Sequence, residues 1–180
     1  MARSLLIVPL LLALAGTAQA QQPTADAQAA DAQPDMMQMV LSKMHALNQM
    51  QMQVAELARN QGTTERVRSY GEREFRDHRF ADDKVTSLAD ELAVGLLPLP
   101  QLPGNQQMMQ MKQKAEQLGQ KRGEAFDQMY LQMMVQSHEM ATQTLNGALE
   151  QLQTPEVSAL IEQLLPILNQ HLTLAQHLNA

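Results

Sequence analysis

The chain has 180 residues with a formal net charge of −6, and it contains 14 methionines but no cysteine or tryptophan. The acidic balance argues against a nucleic-acid partner, because phosphate contacts require a basic surface. The absence of cysteine excludes disulfides and thiolate metal sites.

The first twenty residues are typical of a secretory signal peptide. Arg3 supplies the positive charge, an apolar run covers about residues 5–15, and the small-x-small sequence AQA ends at Ala20. The apolar run is shorter than the roughly 20 residues that a membrane-spanning helix needs. We therefore expect cleavage near Ala20, a periplasmic or secreted location, and no transmembrane segment in the mature chain.

Residues 21–34 are rich in Ala, Gln and Asp, contain two prolines and have no apolar stripe, so they predict a disordered linker. From residue 35 onward, apolar residues recur at steps of three and four and predict four long amphipathic helices. Their ranges are 35–60, 64–94, 124–151 and 154–178.

A proline-rich break, GLLPLPQLPG, separates the second long helix from the third, and a short helix is predicted over 105–118. The turns joining the first to the second and the third to the fourth long helix are short. An all-α fold follows for residues 35–180: an up-down-up-down four-helix bundle with an extra short helix between the second and third long helices.

Four histidines fall at one level of this bundle. Counted from the turns near residues 62 and 153, they lie within about one helical turn of height at 1.5 Å per residue. Three of them lie on the core-facing stripes of their helices, and the fourth, His45, only flanks its stripe. The four are His45, His78, His138 and His171.

This histidine layer is a candidate metal site, because imidazole suits Zn, Cu, Ni or Fe. We expect a zinc or copper ion as the cofactor if a metal binds. The alternative is a structural polar layer that fixes helix register. Buried neutral histidines in such a layer would have depressed pKa values, and the fold would lose stability below about pH 6.

The methionines are a second signal, since MMQM occurs at 36–39 and again at 108–111. Thioethers are soft ligands that select Cu(I), so Met could join His in a copper site. The alternatives are core packing, for which Met is an adaptable filler, and a Met-rich surface that binds a partner.

Patterns typical of enzymes are absent from the sequence. A di-iron bundle needs Glu-x-x-His motifs, and this chain has none; Glu74 and His78 instead share one helix face at i,i+4 and could bind a single metal. No glycine-rich phosphate loop and no nucleophile in a recognisable context are present. We therefore predict a protein that is not an enzyme.

Several residues, spread in order over residues 40–178, resemble those of a known bacterial family. They are His45, Asn48, Val67, Asp77, His78, Phe126, Asp127, Tyr130, His138, Pro166 and His171. The family is called domain of unknown function 4142, its members are often labelled putative outer-membrane or exported proteins, and the resemblance implies a ferritin-like fold. Where that family usually has a glutamate in the first helix this chain has Gln51, and Glu74 could partly substitute for it.

The segment FDQMYLQMMVQSHEMA is also similar to the Met/His segment of the family called domain of unknown function 305, some members of which are linked to exported copper binding. The leading prediction is an exported, non-enzymatic helical-bundle protein of undefined role with an interior histidine layer. The alternatives are a periplasmic copper- or zinc-binding protein that uses His and Met, and a partner-binding or assembly protein of the cell envelope.

Overall fold

A computed structural model describes residues 25–180 of the protein. Five α-helices and one 3₁₀ helix make up this part of the chain, which contains no strand, so the predicted all-α class is confirmed. The α-helices are α1 (Ala25–Gln61), α2 (Glu65–Glu91), α3 (Gln106–Leu118), α4 (Glu124–Gln151) and α5 (Pro155–Asn179), and the 3₁₀ helix (Leu99–Gln101) precedes α3.

The structure differs from the prediction at the start of α1. This helix begins at Ala25, so residues 25–34, predicted as a linker, are helical. The segment is rich in alanine, which has the highest intrinsic helix propensity, and a helix can therefore form there without an apolar stripe. The predicted signal peptide and residues 21–24 lie outside the described residues.

Local chemistry explains most of the helix ends. The Thr64 side chain accepts a hydrogen bond from the Val67 backbone N–H and caps α2. Gly123 has a φ of +64°, a conformation that favours glycine, directly before α4 begins. Pro155 occupies the first turn of α5, where its missing N–H costs nothing.

The helices pack as two antiparallel pairs, α1 against α2 and α4 against α5, with further contact between α2 and α5. Two apolar clusters fill the interior. One surrounds Leu41, Val85 and Ile161, and the other surrounds Val54, Phe126 and Tyr130. Residues 74–78 of α2 lie between the parts of that helix that enter the two clusters, so a polar layer separates two apolar ones.

Two helical glycines test this packing. A Cβ added at Gly71 in α2 would lie 2.8 Å from the Ala58 Cβ and 3.0 Å from the Ala55 carbonyl oxygen of α1. A Cβ added at Gly147 in α4 would meet nothing within 4 Å. Gly71 therefore permits a close approach of α1 to α2, whereas Gly147 faces open space.

We expect Gly71→Ala to lower the free energy of unfolding by about 1–3 kcal/mol, the usual cost of overpacking. Gly147→Ala should raise it by about 0.5–1 kcal/mol, because alanine has the better helix propensity. Urea denaturation of the two variants measures the contrast. Equal effects at both positions would contradict the close approach of α1 to α2.

Candidate metal centre

Four titratable side chains converge in the polar layer between the two apolar clusters. α2 supplies Glu74 and His78, α4 supplies His138, and α5 supplies His171. One donor atom from each lies within 4.8 Å of the others. His78 is 4% exposed and the other three are 0% exposed, so solvent cannot solvate the group.

Glu74 lies at the middle of this cluster. Its Oε2 is 3.1 Å from His78 Nε2 and 3.4 Å from His138 Nε2, and its Oε1 is 3.2 Å from His171 Nδ1. Among the described residues, neither Glu74 oxygen has a hydrogen-bond partner, and neither has His171 Nδ1. The Glu74 carboxylate thus lies close to the three imidazoles without being aligned for a hydrogen bond with any of them.

The nitrogens of His78 and His138 that face away from the cluster each have an acceptor. His78 Nδ1 lies 2.9 Å from Asn48 Oδ1, and His138 Nδ1 lies 2.8 Å from the backbone carbonyl oxygen of Met134. A carbonyl oxygen can only accept a hydrogen bond, so Nδ1 of each neutral ring carries the proton. The Nε2 atoms then present lone pairs to the centre of the cluster.

In His171 the two ring nitrogens have the opposite roles: Nε2 faces away from the cluster and Nδ1 faces into it. Its Nε2 lies 3.0 Å from Asp77 Oδ2, which leaves Nδ1 facing Glu74. The Tyr70 hydroxyl donates to the backbone carbonyl oxygen of His171 at 3.1 Å and fixes α5 against α2. A carboxylate that accepts the second N–H of an imidazole is the usual support of a metal-ligating histidine.

With all three rings neutral, the centre of the cluster lacks positive charge. The Nε2 atoms of His78 and His138 are only 3.4 Å apart. Three imidazole lone pairs and a carboxylate repel one another unless a cation lies among them. A single proton can satisfy only one of these contacts at a time, whereas one metal ion would serve all four donors.

The pKa directions follow from the same geometry. Burial penalises the charge of Glu74, but contact with His138 and His78 outweighs it and holds the pKa of the Glu74 carboxyl well below its ordinary value. Burial also disfavours charged His138, yet the Glu74 charge prevails and raises the pKa of His138. At His171 burial prevails, and its pKa is lowered.

The sequence argument for a structural layer predicted depressed pKa values throughout. That expectation holds for His171 and fails for His138. The physical reason is Glu74, whose ionised carboxylate favours an imidazolium beside it. Without a metal, the proton that balances Glu74 is favoured on His138.

The separations between Glu74 and the three histidines are close to those between the ligands of a small metal ion. Ligands held tetrahedrally at about 2.0–2.1 Å lie about 3.3–3.4 Å apart. The Glu74 oxygens lie 3.1, 3.2 and 3.4 Å from the histidine nitrogens, and one donor atom from each of the four residues lies within 4.8 Å of the others. Imidazole nitrogen and carboxylate oxygen are both common zinc ligands, and imidazole also suits copper, nickel and iron.

Three of the four predicted histidines, His78, His138 and His171, meet in this cluster; His45 does not. His45 Nδ1 instead lies 2.8 Å from Asp82 Oδ1, and its side chain is 31% exposed. Gln49 donates to the other oxygen of Asp82. The position of His45 beside its helix stripe turns the ring toward the flank of α2 and away from the centre.

Glu74 is the ligand that the predicted set omits. Its spacing to His78 was the available signal, because residues four apart share a helix face. Gln51, which stands where the resemblance expects a glutamate, is buried and donates to Ser137 Oγ at 2.7 Å. The acidic group of this layer therefore comes from α2 rather than α1.

The methionines largely serve as core residues. Met44 belongs to the first apolar cluster and Met133 and Met134 to the second, and Met36 packs against the first. Phe80 is the one exposed large hydrophobic residue in the part of the chain whose side chains are described. The methionines there are buried or half-buried, and the partner-binding alternative stays a prediction.

The fold and the cluster define an all-helical protein with a buried site of one glutamate and three histidines. A family model described as "Domain of unknown function (DUF4142)" matches residues 19–178, and the chain belongs to this family. No curated protein matches the chain. No solved structure matches it either. Within residues 25–180, none of the helices combines the length and apolarity needed to cross a membrane.

Proposed function

We propose that the protein is an exported, non-enzymatic helical-bundle protein that binds one divalent transition-metal ion, with zinc as the first candidate. Its ligands are Glu74, His78, His138 and His171. The single observation that carries this proposal is the outward hydrogen bonding of the three imidazoles, which turns every inner nitrogen into an acceptor beside a carboxylate.

The donor set supports zinc over monovalent copper. Imidazole nitrogen and carboxylate oxygen match the ligands of tetrahedral zinc sites, whereas Cu(I) is selected by thiolate and thioether sulfur. The burial of Met44, Met133 and Met134 in the apolar clusters supports packing as their role.

The wider architecture in this proposal is an up-down-up-down, ferritin-like bundle of α1, α2, α4 and α5. The pairing of α1 with α2 and of α4 with α5 supports it. The exported location rests on the signal-peptide pattern that ends at Ala20, and on the resemblance to a family whose members are often labelled exported. A non-enzymatic role rests on the lack of nucleophile and phosphate-loop patterns in the sequence.

A structural polar layer is the second candidate function of the cluster. The raised pKa of His138 and the lowered pKa of Glu74 favour it, because one proton on His138 balances the buried carboxylate without a metal. Metal binding separates the two candidates. The layer needs no ion for its stability, whereas a metal centre gains stability from one.

Equilibrium dialysis of the chelator-treated protein against zinc tests the proposal. We expect one zinc per chain, and we expect Asp77→Ala to weaken the affinity about 10–100-fold, because the carboxylate orients His171 without touching the metal. Asp83→Ala is the matched control, since Asp83 is an exposed aspartate of the same helix. Zinc that stays in the buffer, or binds equally well to Asp77→Ala, would contradict the assignment.

A further inference from the structure

Exposed carboxylates are concentrated at one end of the molecule, around the first apolar cluster. They lie on the parts of α2, α4 and α5 that pack on this cluster: Asp83, Asp90, Glu91, Glu150, Glu156 and Glu162. None of these carboxylates forms an ion pair with another described residue. The basic residues near them are Lys43, Arg79 and Lys84, so the negative charge at this end is only partly balanced within the chain.

Unpaired basic residues are concentrated at the other end, where α3 packs on the second apolar cluster through Leu118. They are Lys112, Lys114, Lys121 and Arg122, and all of them are exposed. None forms an ion pair with another described residue, and Lys114 and Arg122 donate to the neutral side chains of Gln136 and Gln61. We call residues 112–122 the basic segment.

The two ends are too far apart to neutralise each other within one molecule. α2 passes both clusters, from Val67 in the second to Ala89 in the first, a distance of about 33 Å at 1.5 Å per residue. The Debye length at physiological ionic strength is about 8 Å. Each end therefore interacts with what lies next to it, and the net charge of −6 does not prevent unlike ends of two molecules from attracting each other.

A groove of about 510 Å³ lies between α2 and α5 at the acidic end. Phe80, which lines it, is 44% exposed and is the one exposed large hydrophobic residue in the part of the chain whose side chains are described. The groove is also lined by the apolar residues Leu88, Ala159 and Leu160 and by the carboxylates Asp83, Glu91 and Glu156. Aromatic residues are enriched in interfaces relative to the rest of a protein surface.

The groove has the chemistry to receive a cationic side chain. The Lys84 Nζ lies 5.5 Å from the centroid of the Phe80 ring, so the ring already has a cation over it. The alkyl stem of an incoming lysine or arginine covers apolar surface while its head group stays beside a carboxylate. The basic segment carries such side chains, and it has only one acidic residue among them.

We propose that a second copy of the chain docks its basic segment in the α2–α5 groove. The lysines and Arg122 of the segment meet the unpaired carboxylates Asp83, Glu91 and Glu156, and their stems cover Phe80. Because the two surfaces lie at opposite ends of the chain, the contact is head to tail and leaves one groove and one basic segment of each pair free to continue. This contact does not depend on the proposed metal site.

Sedimentation velocity at increasing protein concentration tests this inference. Exposed ion pairs are individually weak and are screened by salt, so the association should be reversible. We expect the mean mass to rise with concentration in about 50 mM sodium chloride and to return to that of a monomer in about 500 mM, where the Debye length is about 4 Å. A monomer under both conditions overturns the proposal, and so does an association that salt strengthens.

Two pairs of substitutions identify the surfaces. Asp83→Asn with Glu91→Gln alters the groove, Lys112→Gln with Lys121→Gln alters the basic segment, and each double variant should associate at least ~10-fold more weakly. An equimolar mixture should recover a 1:1 dimer that does not grow, because the first variant keeps its basic segment and the second keeps its groove. Glu139→Gln, an exposed carboxylate near the middle of α4, is the control and should associate as the natural protein does. A mixture that stays monomeric overturns the head-to-tail contact.

An anionic lipid surface is the competing partner of the basic segment. Cosedimentation with phosphatidylglycerol vesicles, for the natural protein and for Lys112→Gln with Lys121→Gln, separates the two partners. Vesicle binding that this variant loses, by a protein that is monomeric in solution, assigns the segment to lipid and overturns the proposal. Self-association in solution without vesicle binding supports it.

Discussion

Saturating zinc should raise the melting temperature of the chelator-stripped protein by several degrees, and His138→Ala should remove that shift. A ligand at a hundredfold its dissociation constant stabilises the folded state by about 2.7 kcal/mol, which moves the melting temperature of a domain of this size by about 5–10 °C. His138 is fully buried and its Nε2 faces both Glu74 and His78. Its removal takes away one of four donors, and no solvent-exposed group can replace it.

His45→Ala is the control for this experiment. The sequence placed His45 in the same layer, but the structure pairs it with Asp82 and leaves its side chain 31% exposed. His45→Ala should therefore keep the full zinc-dependent shift. Loss of the shift in His45→Ala, or no shift in the natural protein, would contradict the assigned ligand set. An equal fall in stability of His138→Ala with and without zinc would instead support the structural layer.

Glu74→Gln should destabilise the metal-free protein by about 3–5 kcal/mol at pH 6, the usual cost of removing one partner of a buried ion pair. His138 has a raised pKa in the folded state because of the Glu74 charge. Its contribution to stability is fully present below about pH 6.5 and is lost as the pH rises through the folded pKa. The deficit of Glu74→Gln should therefore shrink as the pH rises above about 6.5.

The contribution of Glu74 itself to the free energy of unfolding changes with pH in the acid range. Its folded pKa is depressed, so its contribution is present above the unfolded pKa of about 4.5 and is lost as the pH falls through the folded value. Urea denaturation at several pH values, with chelator present, measures both effects. Glu139→Gln is the matched control, because this exposed carboxyl should change stability by less than about 0.5 kcal/mol. A Glu74→Gln deficit that is constant with pH would contradict the proposed coupling to His138.

Helix periodicity predicted most of the fold. The range of α4 agrees with the prediction at both ends, and α5 differs by one residue at each end. Both helices have apolar stripes and clear breaking residues, which are local signals. The start of α1 could not be predicted in this way, because residues 25–34 lack a stripe and depend on the intrinsic propensity of alanine.

The candidate site was predicted only in part. Counting residues from the turns gave the height of each histidine along its helix, which was enough to bring His78, His138 and His171 together. Rotation about the helix axis decides whether a side chain reaches the centre, and a difference of one residue turns it by about 100°. His45 follows Met44 on α1 and therefore reaches Asp82 instead. The outward partners of the imidazoles depend on side-chain rotamers, which no sequence pattern reports.

X-ray absorption at the zinc edge, on protein loaded with one equivalent of zinc, tests the central claim most directly. Three imidazole nitrogens at about 2.0–2.1 Å and one carboxylate oxygen at about 2.0–2.2 Å are the first shell that the cluster predicts. Multiple scattering from the rings identifies the imidazoles, and His138→Ala should lose one of them. A spectrum with oxygen ligands alone, or with sulfur at about 2.3 Å, would contradict the metal centre formed by Glu74 and the three histidines.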